Sequence, residues 1–320
     1  MTAENLDLFL FVGAFVAVYV LAASILVRLL VARIGIASLS QAPARTSLRK
    51  PILAIAAAGI ICIAYGYLIE PYWLDVSHVR INSSKLPADS RPVRIVHISD
   101  LHCDPQPRLE NRLPHIIANQ HPDFIVFTGD CINSPNGLPV FRQCISEIAK
   151  IAPTFAVKGN WDAWYWDKLD LFKGTGVTEL NGNAVSVDVR NVPIWLMGVA
   201  VQNEKSMRSA IESVPHDQFK VFLYHYPDLI KEAAERKVDL YCAGHTHGGQ
   251  VALPFYGALI TLSKYGKRYE AGLYREAETW LYVNRGIGME GGAPRVRFWA
   301  RPEVTVIDIN PEWPSPHSSP

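Results

Sequence analysis

The chain has 320 residues, is 49% hydrophobic and carries a formal charge of +1 at pH 7. That balance excludes the broad basic field of a nucleic-acid binder. Five cysteines show no spacing of a disulfide framework or zinc ribbon.

Residues 8–27 and 51–69 contain no charged side chain. Each run is long enough to cross a hydrocarbon core of ~30 Å. The spacing predicts transmembrane helices at about 8–30 and 51–69, within a membrane region of residues 1–77. The first run is too long for a signal peptide and has no convincing small-residue cleavage site. Tyr72 and Trp73 follow the second run, where an interfacial aromatic belt belongs. The intervening loop 28–50 carries Arg28, Arg33, Arg45, Arg49 and Lys50 and no acid, whereas the N-terminal tail carries Glu4 and Asp7. The positive-inside rule puts this loop in the cytoplasm and both chain ends outside. The expected location is therefore the cell (inner) membrane, two-pass, with an extracytoplasmic domain. Cytoplasmic placement is the alternative. Free thiols at Cys103, Cys131, Cys144 and Cys242 favour it, since they suit a reducing compartment. The charge count weighs more, because a buried cysteine often serves as a small apolar residue.

About 240 residues then remain, enough for one well-buried α/β domain. Five short apolar runs in it read as buried strands. Val93–Ser99 runs into Asp100-Leu101-His102, Asp123–Gly129 into Asp130, and Thr154–Gly159 into Asn160. Lys220–Tyr224 runs into His225, and Val238–Ala243 into Gly244-His245-Thr246-His247-Gly248-Gly249-Gln250. Helices are expected between them at Glu110–His121, Pro139–Ile151, Glu204–Val214 and Pro227–Lys237. Strands follow at Gln250–Pro254, Thr279–Asn284, Arg295–Ala300 and Val304–Ile309. This pattern predicts two facing sheets flanked by helices. The last ten residues, with four Pro and three Ser, read as a disordered tail, 311–320.

In open α/β sheets, ligands bind beyond the carboxyl ends of the strands. Here five such ends deliver two Asp, one Asn and four His. Imidazole, carboxylate and amide oxygen suit manganese, iron, zinc or nickel better than an all-oxygen calcium or magnesium cage. Seven ligands exceed one four-coordinate site. They suit two metals about 3.5–4 Å apart that share a bridging carboxylate and clamp a phosphoryl displacement.

These blocks resemble the calcineurin-like metallophosphoesterase superfamily over residues 78–310. The family pattern is Asp-x-His, Gly-Asp, Gly-Asn-His-Asp/Glu, a lone His, then Gly-His-x-His. The chain supplies Asp100-Leu101-His102, Gly129-Asp130, Gly159-Asn160-Trp161-Asp162, His225 and Gly244-His245-Thr246-His247, in that order. The likeness is strongest to the membrane-associated branch typified by YkuE and YaeI. It implies an α/β fold: a two-sheet βαββ metallophosphoesterase sandwich, here preceded by the two-helix transmembrane hairpin. It also implies two divalent metal ions, manganese first among them. Asp100, His102 and His247 would hold one metal, Asn160, His225 and His245 the other, and Asp130 would bridge. A metal-bound hydroxide would attack phosphorus, with Asp130, Asn160 and Asp162 as catalytic residues.

Two positions depart from the pattern. Asn133 replaces a second family Asp, an outer change that would tune the site without emptying it. Trp161 replaces the family's His, which protonates the leaving oxygen or stabilises the transition state. An indole N–H donates a hydrogen bond but is no useful acid. General acid catalysis contributes about 10²–10⁴-fold, and an alkoxide leaving group needs it. A phosphate leaving group, with pKa near ~6, does not. The expected substrate is therefore a pyrophosphate or activated ester, in a membrane lipid, lipid-linked phosphate or nucleotide sugar. The UDP-2,3-diacylglucosamine pyrophosphatases of lipid A synthesis belong to the same family. A non-catalytic metal-binding relative is the other alternative. Trp161 also fits an aromatic wall with Trp164, Tyr165 and Trp166. Further substrate-binding candidates are Arg285, Arg295 and the basic, aromatic segment Leu259–Tyr274 with Arg268, which could equally be a packed, solvated insertion. The sequence does not fix an oligomeric state.

Overall fold

A computed structural model describes residues 3–34, 46–292 and 294–312. They form two compact units that divide after Ile69. In the first, helix α1 spans Ala3–Arg33 and α2 spans Thr46–Leu68. Both are apolar all round and long enough to cross a membrane. Phe9, Leu10, Val20 and Ile61 face outward from them. Residues 35–45 of the basic loop, Arg45 included, lie outside the described residues, as does 313–320 of the expected tail.

The division falls earlier than the expected 77/78 boundary because Glu70 and Asp75 are built into the second unit. The buried Glu70 carboxylate accepts from the backbone N–H groups of Trp299 and Ala300. Asp75 opens strand β1 (Asp75–Ser83), which pairs with β14 (Glu303–Pro311). That pairing also makes Pro311 part of a strand rather than of the tail.

Between these termini the chain runs β2 (Val93–Ile98), α3 (Leu113–Ala118), β3 (Phe124–Phe127), α4 (Leu138–Ala149) and β4 (Thr154–Ala156). It continues through α5 (Asn160–Tyr165), β5 (Thr178–Glu179), β6 (Asn183–Val189) and β7 (Val192–Gly198). Then come α6 (Met207–Glu212), β8 (Phe219–Leu223), α7 (Ile230–Glu235) and β9 (Leu240–Ala243). A small hairpin, β10 (Ala252–Leu253) and β11 (Gly257–Ala258), precedes β12 (Gly272–Glu276) and β13 (Thr279–Val283).

Two six-stranded sheets result, ordered β1-β14-β2-β3-β4-β5 and β12-β13-β9-β8-β7-β6. Strands β2 to β5 run parallel, as do β7, β8, β9 and β13. The sheets face each other across Ile95, Phe124, Val126, Ile194, Val221 and Leu240. Helices α3 and α4 cover the outer face of the first sheet, and α6 and α7 that of the second. This is the predicted flanked sandwich.

Each expected helix is present but shorter, and two begin with a 3-10 turn, Glu204–Ser206 and Pro227–Leu229. Arg295–Ala300 is not a strand. Only Phe298 bridges to Val251, because Arg297 turns inward and Trp299 takes a left-handed φ of 58°. The β6–β7 hairpin went unread. Its signal is Arg190-Asn191, two successive positive φ values of 53° and 67°, the backbone of a two-residue hairpin turn.

Candidate metal centre

All the expected ligands stand at strand ends. Strands β2, β3 and β4 deliver Asp100, His102, Asp130 and Asn160; β8 and β9 deliver His225, His245 and His247. Asp100, His102, Asp130, His245 and His247 adopt positive φ, between 40° and 70°. Such backbone costs about 1–3 kcal/mol per residue and persists only where its surroundings over-determine it. Crowding does so here. A Cβ on Gly244 would strike Ser99 and Asp100, and one on Gly159 would strike Asp130.

The side chains converge. Ligand atoms of Asp100, His102 and His247 lie within 4.8 Å of one another, as do those of Asp100, Asp130 and His225. Asp130 Oδ2 lies 3.4 Å from His102 Nε2 and 3.3 Å from His225 Nε2. Its other oxygen accepts the Trp161 backbone N–H at 2.9 Å. Asn160 Oδ1 lies 3.1 Å from His245 Nδ1.

The donor set fits cations. His102 Nδ1 and Nε2 and His225 Nε2 are buried without a hydrogen-bond partner among the described residues, a costly state unless something else satisfies them. His225 Nδ1–H donates to the Thr128 carbonyl, leaving Nε2 as a ligand atom. His245 Nε2–H donates to the Leu262 carbonyl, leaving Nδ1 facing Asn160. His247 differs: the Arg297 guanidinium donates to its Nδ1, so its proton sits on Nε2 beside Asp100. Ligation through Nε2 would move that proton to Nδ1. Arg297 can release this contact, since Arg285, Gly286, Gly288 and Ala300 carbonyls also receive it.

Burial pushes His102 down to about 4 and His245 down to about 3, and holds His247 well below the usual imidazole range. These rings are neutral, as metal ligands must be. Burial would lower His225 too, but the Asp130 and Asp100 carboxylates outweigh it and hold that ring up at about 9. Without metal, His225 therefore carries a proton at neutral pH that ligation must displace. The metal-free form binds more protons, so apparent metal affinity should rise with pH and level off above about 9. Calorimetry at about pH 8 in buffers of different ionisation enthalpy should detect about one proton released per chain. Affinity that is independent of pH between about 6 and 9 would contradict this ligand state.

Other expected residues are placed differently. Asp162 does not face the cluster. Its oxygens accept the backbone N–H groups of Asp130, Cys131 and Gly159 at 2.9 Å each. It is a positioning residue that fixes the peptide carrying Asp130. The Asn133 amide donates to the carbonyls of His102 and Met289 and to Asp104, which an ionised aspartate could not do. The anion-binding candidates are committed elsewhere. Arg285 pairs with Asp75 and Glu303, Arg268 with Glu276, and Arg295 with Asp104.

Trp161 stands edge-on to His102 with ring centroids 5.4 Å apart and packs on Tyr165 at 5.0 Å. Its indole N–H donates to Glu290 at 3.0 Å. Trp164 and Tyr165 extend the wall into solvent, while Trp166 turns back to the Ile132 carbonyl.

Sequence reasoning missed four contributors. These are Glu290, Arg297, Tyr226 and the buried chain His97–Thr128–Ser99. Tyr226 packs on His245 with ring centroids 4.1 Å apart. His97 Nε2 meets the Thr128 hydroxyl, which donates to Ser99, which in turn bonds Asp100. A polar side chain inside an apolar strand, as at His97, was the available signal.

Known proteins match this sequence. The sequence profile of the Calcineurin-like phosphoesterase family matches residues 93–249, which include every expected ligand. The chain is 30% identical over 280 residues to the metallophosphoesterase YkuE of Bacillus subtilis (strain 168), covering 83% of this chain and 97% of that protein. Identity to phosphodiesterase YaeI of Escherichia coli (strain K12) is 29% over 278 residues, covering 82% and 99%. UDP-2,3-diacylglucosamine pyrophosphatase LpxG of Chlamydia trachomatis is 25% identical over 322 residues, covering 79% and 94%. The chain belongs to the calcineurin-like metallophosphoesterase family. Members of that family are phosphoester hydrolases with a dinuclear metal site.

Proposed function

We propose that this chain is a membrane-anchored dinuclear-metal hydrolase of a phosphate ester or pyrophosphate bond in a lipid-linked or nucleotide-sugar substrate. One observation carries the dinuclear reading. A single carboxylate oxygen, Asp130 Oδ2, lies between two unpartnered ligand nitrogens from different sheets, His102 Nε2 and His225 Nε2. Bound divalent metals there would supply Lewis acidity at the phosphoryl oxygens and a nucleophile at neutral pH. The protein contributes orientation. Asp162 fixes the Asp130 peptide, Thr128 and Leu262 set the tautomers of His225 and His245, and Arg297 backs His247.

The substrate class rests on Trp161. Its indole stands beside His102 yet has no acidic proton to give. A leaving group that departs unaided suits such a site, and a phosphate is one. The second reading is UDP-2,3-diacylglucosamine pyrophosphatase activity, supported by the same tryptophan and by the similarity to LpxG. Purified full-length protein with Mn²⁺ should cleave pyrophosphates and aryl phosphates well and alkyl diesters poorly. Absence of turnover with manganese, iron, zinc and nickel alike would favour a metal-dependent binding protein instead.

For orientation, the proposal places residues 28–50 in the cytoplasm and the catalytic unit outside it. Thiol labelling of the catalytic unit's own cysteines is unsuitable, because Cys103, Cys131, Cys144 and Cys242 are buried. A reporter active only outside the cytoplasm, fused after residue 310, should be active. Signal from a cytoplasmic reporter alone would reverse the assignment.

A further inference from the structure

We propose that the catalytic unit rests on the lipid surface through an aromatic patch of its own, formed by Tyr72, Trp73, Phe255 and Trp299. The proposal depends on α2 spanning the bilayer. Three chain segments, remote in sequence, build the patch. Trp299 is 63% exposed, yet its backbone N–H is held by the buried Glu70 carboxylate at 2.9 Å. The Arg301 guanidinium lies 4.8 Å from the centre of the Trp73 ring. Phe298, beside Trp299, bridges to Val251 and accepts the Ala252 N–H at 2.8 Å. That contact seats the β10–β11 hairpin next to Trp299. The hairpin tip, Pro254-Phe255-Tyr256, holds Phe255 fully exposed with a left-handed φ of 65°. Tyr256 carries Lys267 Nζ 3.3 Å from its ring centre.

Scattered exposed aromatics need no explanation. A ring that is both fully solvated and backbone-strained gains nothing from its own fold, and here it joins two exposed tryptophans on tied segments. The occupant follows from chain continuity. Helix α2 ends at Leu68, and Glu70 follows two residues later. Two residues reach at most ~7 Å, about the depth of one headgroup layer. Glu70 holds Trp299 directly, so a bilayer around α2 brings its headgroups to Trp299. Tryptophan and tyrosine favour that layer, and Lys267 and Arg301 suit anionic lipid heads. The β10 strand begins five residues after the expected ligand His247, so the same contact would present the metal centre to a lipid-borne substrate.

The test uses the full chain in vesicles of phosphatidylcholine with a minority of phosphatidylglycerol, carrying nitroxide lipids as quencher. A fluorophore on native Cys62, the exposed cysteine in α2, reports whether that helix is in the bilayer. In a Cys62→Ser background, Pro254→Cys carries the label at the hairpin tip. Glu278→Cys is the control at the opposite ends of the strands. Quenching at 254 close to that at Cys62, and several-fold above that at 278, is expected. Phe255→Asp with Trp299→Asp should reduce quenching at 254 to the level at 278 and leave Cys62 unchanged. Quenching at Cys62 but not at 254 overturns the docking alone. No quenching at Cys62 overturns the membrane reading with it. A label at 254 that is shielded but unquenched, in a chain that light scattering shows to be dimeric, assigns the patch to a second copy and overturns the proposal.

Discussion

Asp130→Asn is expected to abolish most hydrolysis and to lower bound metal below two ions per chain. The hydrogen-bond pattern decides which way the new amide points. Asp130 Oδ1 accepts the Trp161 backbone N–H, so the asparagine oxygen must stay there. Its NH₂ group is then forced into the Oδ2 position, between His102 Nε2 and His225 Nε2. A bridging acceptor becomes a donor aimed at two ligand nitrogens. The loss in kcat/KM should exceed the about 10–100-fold typical of outer-shell changes. His225→Ala or His245→Ala should mainly empty one site, and His247→Ala the other. Metal analysis with kcat/KM separates these cases. Full activity in Asp130→Asn would sink the two-metal reading.

Trp161→His should raise alkyl diester turnover by up to about 10²-fold, the low end of general acid catalysis. It should do little for pyrophosphates. The side chain at 161 already borders His102, so an imidazole there lies near the reacting centre. The usual orienting carboxylate is not available, because Asp162 is spent on backbone amides. Glu290 sits where the indole N–H now ends, 3.0 Å away, and can accept from the new ring instead. Adding Glu290→Gln to Trp161→His should therefore remove part of the gain. The measurement is kcat/KM for both substrate types over a range of pH. Equal effects on both types would mean that Trp161 acts in packing or binding, and that leaving-group chemistry does not select the substrate.

The candidate ligand set was legible because buried parallel strands announce themselves as apolar runs and their carboxyl ends collect function. His102 and His245–His247 need no partner information to be read as ligands. Roles that depend on a distant partner were not legible. Arg285 reads as a free cation until Asp75, 210 positions away, is brought beside it. Trp161 and Glu290 are 129 positions apart. Asp162 is a related case. Its acidity suggested catalysis, but burial against three amides makes it a scaffold. Edge strands such as β1 stayed hidden because they are only half buried and break no apolar rhythm.

Four of the expected ligands belong to one sheet and three to the other, and the sheets also meet through interdigitated apolar side chains and through Tyr282, whose hydroxyl bonds Ser77 and Glu303 across the join. Metal would then act as a rivet across that join. Ions at a hundredfold excess over Kd add about 2.7 kcal/mol to the closed form, comparable to losing or gaining a large core side chain. A cell short of the right ion would hold less of this protein as well as a slower one, because the sheets would part more often within reach of proteases. Hydrogen exchange along β8 and β9, compared with and without Mn²⁺, reads that coupling directly.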